Sequence, residues 1–312
     1  MAQKKLAIRS TEDLVQWSRG YTGQKYITTV LFLLVPVTLL ILFTVIPALN
    51  MVSFSFQKRD QFGINPEFVG LANYKQALTD PEVFSPLRNS LYYLAGSFVQ
   101  LSVALLIATI LCSRVQGANF FKGVIFFPYM MNGVAVAIIF RRVFYASDGV
   151  INKSQGILNN ILELFGGTSQ VWLSGTPMLA NLCLVFVSIW RYIGFDIIMF
   201  IGAIQSISPE IFEAASLDGA NGWQRFRYII FPSIRPIIAL QLILSVRGAV
   251  SVFEIPYIVT GGRNGTETFV MKTMDTAFKL QKFGLAAAMG IILLIIIIMV
   301  TLVQKAFFRE EK

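Results

Sequence analysis

Six long apolar runs, separated by short polar segments, constrain the fold of this chain more than any other feature of its sequence. We name them span 1 to span 6 and place them at about 27–49, 90–112, 121–140, 178–205, 236–258 and 284–307. Each is long enough to cross a hydrocarbon core of ~30 Å as a helix rising ~1.5 Å per residue. Lipid-exposed backbone must satisfy its own hydrogen bonds, so all six are predicted to be helices. The predicted fold class is an all-α integral membrane protein with six transmembrane helices.

Composition supports this class and excludes others. Hydrophobic residues make up 55% of the chain and charged residues only 14%, too few for the surface of a soluble protein of this length. The net charge of +9 does not indicate nucleic-acid binding, because no basic patch is interleaved with aromatic residues. The chain has no histidine, and Cys112 and Cys183 both lie in apolar runs without a CxxC motif. We therefore expect no metal site and no disulfide.

The distribution of basic residues predicts the orientation of the chain. Five of them precede span 1: Lys4, Lys5, Arg9, Arg19 and Lys25. Span 1 is longer than a signal-peptide core of ~7–15 residues, and no A-x-A site follows it, so we expect it to remain as an anchor. The basic cluster predicts a cytoplasmic N-terminus, although basic residues are nearly as numerous in the longer outer loops. Six spans then place the C-terminus in the cytoplasm as well.

A polar segment, "EAASLDGANGWQRFRYIIFP" at 213–232, separates span 4 from span 5. Ser208 is a predicted N-cap, Pro209 the first helical residue and Gly219 the residue that ends the helix. A second helix is predicted to start near Trp223 and to be broken by Pro232 just before span 5. By spacing alone, a docking helix–turn–helix and an ordinary amphipathic interfacial loop fit this segment equally well.

The segment closely resembles the EAA motif of binding-protein-dependent ABC importer permeases, E-A-A-x(3)-G-x(9)-I-x-L-P. The matching positions hold Glu213, Ala214, Ala215, Gly219, Ile229 and Pro232, and Phe231 replaces the usual leucine. Asp218 and Ala220 complete a "DGA" sequence typical of the carbohydrate-uptake branch. The wider resemblance covers about 87–306, including "FFPYMMNGVAVAIIF" and "FEIPYIVTGG". These stretches look like the maltose/glycerol-phosphate-type permease family.

The resemblance implies a type I ABC importer permease fold with a cytoplasmic coupling helix that docks in a cleft of an ATPase. Glu213 would make a polar contact there, while Ala214, Ala215 and Gly219 would permit close docking. The implied partners are a second, related permease in a heterodimer, an ATPase dimer, an extracytoplasmic solute-binding protein, a carbohydrate and the lipid bilayer. The implied location is a prokaryotic cytoplasmic membrane, and no nucleic acid is expected to bind.

The resemblance also implies a domain organisation and a division of labour. The expected order is a cytoplasmic tail, the first transmembrane helix, an extracytoplasmic loop, a type-1 ABC transporter transmembrane domain and a second cytoplasmic tail, at 1–26, 27–49, 50–86, 87–306 and 307–312. The chain has no G-x-x-x-x-G-K-[ST] motif, so it cannot be the ATPase. We expect it to be no enzyme and to bind no cofactor, with ATP and Mg²⁺ used by the partner ATPase.

Polar residues within the spans are candidates for the substrate path, because such groups are costly in a membrane. They are Asn132, Trp190, Arg191, Tyr192, Asp196, Arg247, Ser251, Glu254 and Tyr257. Some of them could line a water-filled cavity that binds a sugar. Alternatively, Glu254 could form a structural salt bridge with Arg247 or Arg191. Helical spacing would place Arg247, Ser251 and Glu254 on one face of span 5. For the polar face of span 2, Tyr93, Ser97 and Gln100, helix packing is the favoured interpretation.

Three other functions compete with import of an oligosaccharide: import of another metabolite, transport without ATP, and enzymatic catalysis. An importer of glycerol phosphate or another polar metabolite needs cations in its cavity, which Arg191 and Arg247 could supply and Asp196 and Glu254 oppose. A secondary transporter or channel would show inverted repeats with broken helices, and none is apparent in the sequence. A membrane-embedded enzyme is disfavoured, since neither a histidine nor a G-x-S-x-G motif is present.

Overall fold

The computed structural model describes residues 20–59, 66–113, 116–146 and 156–307. Much of the predicted N-terminal tail, residues 1–19, and the chain after residue 307 lie outside this part. Within it, the chain is almost entirely helical, with one antiparallel pair of two-residue strands, Gln57–Lys58 and Glu67–Phe68. Two compact units are present, Met1–Phe54 and Ser55–Lys312.

Span 1 accounts for the described part of the first unit. It consists of the helix Tyr21–Leu40, a π-helical turn Ile41–Val45 and the helix Ile46–Ser55. The stretch Gly23–Ser55 is long and apolar enough to cross a membrane. It is longer than the predicted 27–49, because neither glycine nor proline follows the apolar run before Ser55 and the helix continues.

The second unit contains the remaining spans. Span 2 is Pro81–Cys112, built from Pro81–Phe84, the 3₁₀ helix Ser85–Asn89 and Ser90–Cys112. Span 4 is the unbroken helix Pro177–Gln205. Span 5, Arg235–Val259, comprises Arg235–Val250 and Glu254–Val259, and span 6 is the helix Phe283–Phe307. In the described part of the chain, five helices can cross a membrane by length and composition, or six if span 3 is counted.

In span 3, predicted over 121–140, Pro128 favours a kink just before Asn132, and the structure confirms a break there. Span 3 consists of Ala118–Met130 and Gly133–Val143, which meet at an angle of 95°. Asn132 has an extended backbone, and its side-chain oxygen accepts a hydrogen bond from the Val134 amide at 2.8 Å. The residue therefore caps a new helix rather than extending the old one. Pro128, which lacks an amide hydrogen, lies in the last turn of the first helix.

Short helices connect the spans. The sequence of the loop 141–177 predicts a short helix near 156–165, and Ile157–Leu164 confirms it. The Asn, Pro and Asp residues of the loop 50–89 predict turns and a short amphipathic piece, and its described part contains the helix Ala72–Thr79. The other connecting elements are Pro209–Leu217, Gly222–Arg225, the π-helical turn Phe226–Ile230, Phe231–Ser233 and Phe269–Phe278. These lengths are consistent with connections that cap the spans.

Span 4 lies at the centre of the second unit. Its first half contributes Leu184 and Val187 to an apolar cluster with Val136 of span 3 and Ile255 of span 5. Its second half contributes residues such as Phe200 to a second cluster with span 2 and the segment before span 5. A third cluster, including Phe269 and Met289, joins span 6 to the outer helices. Span 4 thus packs against spans 2, 3 and 5, whereas span 6 packs on the third cluster.

Small residues allow span 2 to approach span 4 closely. Ala104 and Ala108, four residues apart on span 2, have no exposed surface and pack in the cluster that contains Ile197 and Phe200. Small side chains let the two backbones approach closely. Close packing matters in a membrane, because lipid is as apolar as the side chains and the hydrophobic effect does not drive helices together.

Enlarging this contact should destabilise the protein. We expect Ala104→Leu to lower the free energy of unfolding by about 1–3 kcal/mol, because a larger side chain overpacks a filled contact. Val103→Leu, at a neighbouring position with 38% exposure, is the matched control and should change stability little. Thermal unfolding of the purified protein in detergent measures both. Equal melting temperatures for the two variants would contradict the close contact.

Candidate substrate cavity and coupling segment

A cavity of about 490 Å³ lies among spans 2, 3, 4 and 5. Its lining combines aromatic rings, hydroxyl groups, one carboxamide and two carboxylates. The polar and aromatic lining residues are Tyr93, Ser97, Gln100, Tyr129, Ser188, Tyr192, Phe195, Asp196, Ser245, Ser251, Phe253 and Glu254. This composition suits a ligand that has both apolar faces and hydrogen-bonding groups.

Four of the nine residues predicted for the substrate path line this cavity: Tyr192, Asp196, Ser251 and Glu254. Their contact with a substrate stays a prediction. Arg191 is next to the cavity, where its guanidinium pairs with Glu254.

The other four have structural contacts elsewhere. Asn132 caps the second helix of span 3, as described above. Trp190 packs edge-on against Phe140, with ring centroids 5.1 Å apart. Tyr257 stacks on Phe253 with centroids 4.9 Å apart. Arg247 borders a separate crevice beside span 6.

A break in span 5 separates Arg247 from Glu254. The first helix ends at Val250 and the second begins at Glu254, so the expected single face holding Arg247, Ser251 and Glu254 is wrong. Pro256 explains the break, because it has no amide hydrogen to donate to the carbonyl four residues earlier. That carbonyl, of Val252, instead accepts a hydrogen bond from the hydroxyl of the fully buried Thr268 at 2.8 Å.

The segment before Thr268 is itself tied to two spans. The side-chain amide of Asn89 donates to the carbonyls of Gly265 and Glu267 at 2.8 and 2.6 Å, and that of Asn181 to Gly265 at 3.0 Å. Burial raises the pKa of Glu267, and the nearby Lys272 opposes that shift. The break in span 5 is therefore held by a fixed loop rather than by span 5 alone.

An ion pair joins span 4 to the second helix of span 5. Nη1 of Arg191 lies 2.7 Å from Oε2 of Glu254, and the two side chains are 13% and 40% exposed. The guanidinium also lies over the ring of Tyr192, 5.0 Å from its centroid. Of the two salt bridges considered for Glu254, the structure contains the one with Arg191, because the break turns Arg247 away.

Gly133 provides the space for this ion pair. A Cβ atom at this position, just after the break in span 3, would overlap Nη1 of Arg191 and Oε2 of Glu254. Gly133 is buried, so the pair packs directly on its backbone. Three elements thus meet at one contact: the bend of span 3, the middle of span 4 and the break in span 5.

Adding one methyl group at Gly133 should separate the ion pair. We expect Gly133→Ala to destabilise the protein by about 1–3 kcal/mol, because the added methyl group separates Arg191 from Glu254 and leaves both charges partly buried without a partner. Gly123→Ala is the matched control, since Gly123 lies in the same span with nothing within 4 Å of an added Cβ. Thermal unfolding of Gly133→Ala, Glu254→Ala and the double variant measures the coupling. Fully additive effects would contradict a shared contact.

Asp196 links three spans through hydrogen bonds. Its Oδ2 accepts from Nε2 of Gln100 in span 2 at 2.6 Å, and its Oδ1 accepts from Nε2 of Gln241 in span 5 at 2.9 Å. Asp196 is 5% exposed and Gln241 1% exposed. Both carboxamides are partners that the sequence interpretation did not assign, although an amide within an apolar run is as unusual as a carboxylate.

The hydrogen-bonding geometry, rather than the charge, should hold this junction together. Asp196→Asn keeps the shape, and the buried Gln241 Oε1, which lacks a partner in the described chain, can turn to accept from the new amide. We expect it to cost less than ~1 kcal/mol, whereas Asp196→Leu leaves two carboxamides unpaired at about 1–3 kcal/mol each. Melting temperatures of the two variants decide this. An equal loss in both would show that the charge itself is required.

We call residues 208–233, which include the stretch that resembles the EAA motif, the coupling segment. It begins with the helix Pro209–Leu217, preceded by Ser208 as predicted, although the Ser208 side chain makes no capping hydrogen bond. The helix ends at a Schellman motif: the Ala220 amide donates to the Ala215 carbonyl at 2.9 Å and the Gly219 amide to the Ser216 carbonyl at 3.2 Å. Gly219 has φ +77°, the left-handed conformation that favours glycine.

The second helix of the segment differs from the prediction at its end. It starts at Gly222 behind a capping box formed by Asn221 and Gln224, close to the predicted Trp223. Pro232 does not break it. The π-helical turn Phe226–Ile230 precedes Pro232, and helical backbone continues to Ser233. A π turn accommodates a proline because it already displaces the regular hydrogen-bond ladder.

The segment has one side on the core and one side exposed. Phe212 and Ile230 pack on the apolar cluster around span 4. Glu213 and Ala214 are exposed, and Leu217 is 90% exposed. A short capped helix that is anchored on one side and bare on the other is typical of a docking element.

Comparison with known proteins decides the family. A model described as the inner membrane component of binding-protein-dependent transport systems matches residues 100–311. The chain belongs to this family. It is thus a membrane permease subunit of a transport system and not an enzyme.

Individual relatives extend this likeness to almost the whole chain. A probable ABC transporter permease of Bacillus subtilis is 32% identical over 93% of this chain and 99% of its own. A multiple sugar-binding transport system permease of Streptococcus mutans is 31% identical over 88% and 92%. An sn-glycerol-3-phosphate transport system permease of Agrobacterium fabrum is 30% identical over 88% and 92%.

A solved structure shares the fold. The crystal structure of a bacterial ABC transporter involved in the import of alginate contains a chain that aligns with a TM-score of 0.78 at 20% identity. The alignment covers 92% of this chain and 96% of that one. The six-span permease architecture is therefore that of an ABC importer subunit.

Proposed function

We propose that this chain is one permease subunit of an ATP-driven ABC importer that moves a carbohydrate, an oligosaccharide, from a solute-binding protein into the cytoplasm by alternating access. The observation that carries this proposal is the coupling segment. It matches the family motif and presents a capped, exposed helix between span 4 and span 5. Family membership and the sugar-transport relative support the same function.

The coupling segment would transmit work from the ATPase to the spans. Phe212 fixes the first helix of the segment to the apolar cluster around span 4, and Ile230 fixes the π-helical turn that follows the second helix to the same cluster. Closure of a docked ATPase would therefore move the attached spans as rigid bodies instead of bending the segment. Glu213 offers a charged group on the exposed side, and the small Ala214 next to it permits a close approach.

The proposed assembly has the chain beside a second, related permease, above a cytoplasmic ATPase dimer and below a solute-binding protein. The ATPase would use ATP and Mg²⁺, and this chain would bind neither. We place the assembly in a prokaryotic cytoplasmic membrane with both termini of this chain in the cytoplasm, and with residues 87–306 as the transporter domain. The basic cluster before span 1 and the family likeness support this arrangement.

The cavity among spans 2 to 5 is the proposed site of the sugar. Two stacked aromatic pairs, Tyr129 with Phe195 and Phe253 with Tyr257, lie at it or next to it, with ring centroids 5.0 and 4.9 Å apart. Aromatic rings suit the apolar faces of sugar rings, and the surrounding hydroxyl groups suit their oxygens. An importer of glycerol phosphate is the alternative that the Agrobacterium relative supports.

Substitutions in the coupling segment should uncouple ATP hydrolysis from transport. We expect Glu213→Lys, which reverses a charge on the docking side, to reduce uptake at least tenfold while the protein still inserts. Gly219→Val should do the same through backbone strain, because a β-branched residue disfavours φ +77°, whereas Gly219→Asn should retain more uptake. Nothing lies within 4 Å of an added Cβ at Gly219, so steric overlap does not confuse the comparison.

Uptake of labelled oligosaccharide by proteoliposomes, with ATP inside or absent, measures these effects, and membrane fractionation checks insertion. Wild-type uptake in both Glu213→Lys and Gly219→Val would refute the coupling role. Uptake that needs no ATPase subunit would instead favour a secondary transporter or channel.

A further inference from the structure

The charge of the cavity lining is one-sided. Two of its lining residues in the described chain carry charged side chains, Asp196 and Glu254, and both are acids. No lysine or arginine belongs to the described lining. Asp196 is 5% exposed, whereas the Glu254 side chain is 40% exposed and is the more accessible of the two acids.

The two cations considered for an anion site are not available to the cavity. The guanidinium of Arg191 is 13% exposed, pairs with Glu254 at 2.7 Å and lies over the ring of Tyr192. Arg247 is on the far side of the break in span 5, beside Thr301 and Gln304 of span 6. The charges of Arg191 and Glu254 cancel, so the Asp196 carboxylate gives the cavity surroundings a net charge of about −1.

The cavity also contains a hydroxyl group that has no protein partner. Tyr93 lines the cavity and is 4% exposed, and its hydroxyl is buried without a hydrogen bond within the described residues. A buried polar group normally has a hydrogen-bond partner, and the described residues supply none to this hydroxyl. A phenol can both donate to and accept from a ligand hydroxyl.

We propose that this cavity accepts uncharged polyhydroxy solutes and rejects anionic ones, and that Glu254 maintains this preference by neutralising Arg191 at the cavity edge. The inference rests on the proposed import of a carbohydrate and narrows its substrate to neutral sugars. It separates this chain from a carrier of sugar acids or of glycerol phosphate. An anionic ligand would meet a net negative charge around the cavity with no unpaired cation to compensate it, which a low-dielectric site penalises strongly.

Glu254→Gln tests the proposal with little change in shape. The glutamine oxygen can still accept a hydrogen bond from Arg191, but the guanidinium charge is then no longer cancelled at the cavity edge. The double variant Arg191→Gln/Glu254→Gln removes that charge again and returns the local sum to −1. Glu82→Gln, at an exposed position outside the cavity, removes one negative charge elsewhere and is the matched control.

The measurement is direct binding to the purified importer complex, with its partner permease and ATPase but without the binding protein, so that the permease cavity alone selects. The probes are maltopentaose, a neutral chain of five rings, and pentagalacturonate, an acidic chain of the same length, with sn-glycerol 3-phosphate as a competitor. Melting temperatures verify that each variant is folded.

We expect the wild type to bind the neutral probe at least tenfold more tightly than the acidic one. We also expect that sn-glycerol 3-phosphate does not displace the bound neutral probe. Glu254→Gln should reduce this ratio about tenfold, while the double variant and Glu82→Gln should keep it at the wild-type value. Equal binding of both probes by the wild type, displacement by sn-glycerol 3-phosphate, or an unchanged ratio in Glu254→Gln would overturn the inference. In the first and last of these cases import of a carbohydrate would still stand. Binding of sn-glycerol 3-phosphate and of neither oligosaccharide would overturn both.

Discussion

Backbone hydrogen bonding inside a membrane is the constraint on which the rest of this structure depends. A helix that stops within the hydrocarbon leaves amide and carbonyl groups without water, and each needs another partner. At the bend in span 3 the Asn132 side chain takes the Val134 amide. At the break in span 5 Thr268 donates to the Val252 carbonyl that Pro256 cannot serve. A specific neighbour satisfies each of these two groups, which makes irregular backbone possible at both positions.

The charged groups occupy the space that these irregular segments create. Gly133 follows the bend, Glu254 follows the break, and Arg191 projects from the intact span 4 to the point where they meet. A side chain at position 133 would occupy the volume of the ion pair, so the small residue, the bend and the salt bridge require one another. Aromatic side chains fill much of the remaining wall, which gives the cavity apolar surfaces beside its acids and hydroxyl groups.

Much of this architecture could be predicted from the sequence, because long apolar runs and a motif of fixed spacing are local properties. The spans, the helix near 156–165 and the turn at Gly219 follow from hydropathy, glycine and capping residues. The break in span 5 could not be anticipated by helical periodicity, which placed Arg247 and Glu254 on one face. Pro256 causes it, but the hydrogen bond that stabilises it comes from Thr268, a residue of the loop after span 5. The pairing of Asp196 with Gln100 and Gln241 depends on equal depth of three helices, which no single run of sequence specifies.

Asp196 has a consequence for how the cavity can change its access. From span 4, its two oxygens accept hydrogen bonds from span 2 and span 5 at once. Sliding span 2 or span 5 past span 4 would break a hydrogen bond of this nearly buried carboxylate. Spans 2, 4 and 5 should accordingly travel as a single block. The openings of the cavity to the two sides of the membrane would then form at the borders of that block, at surfaces shared with a neighbouring subunit.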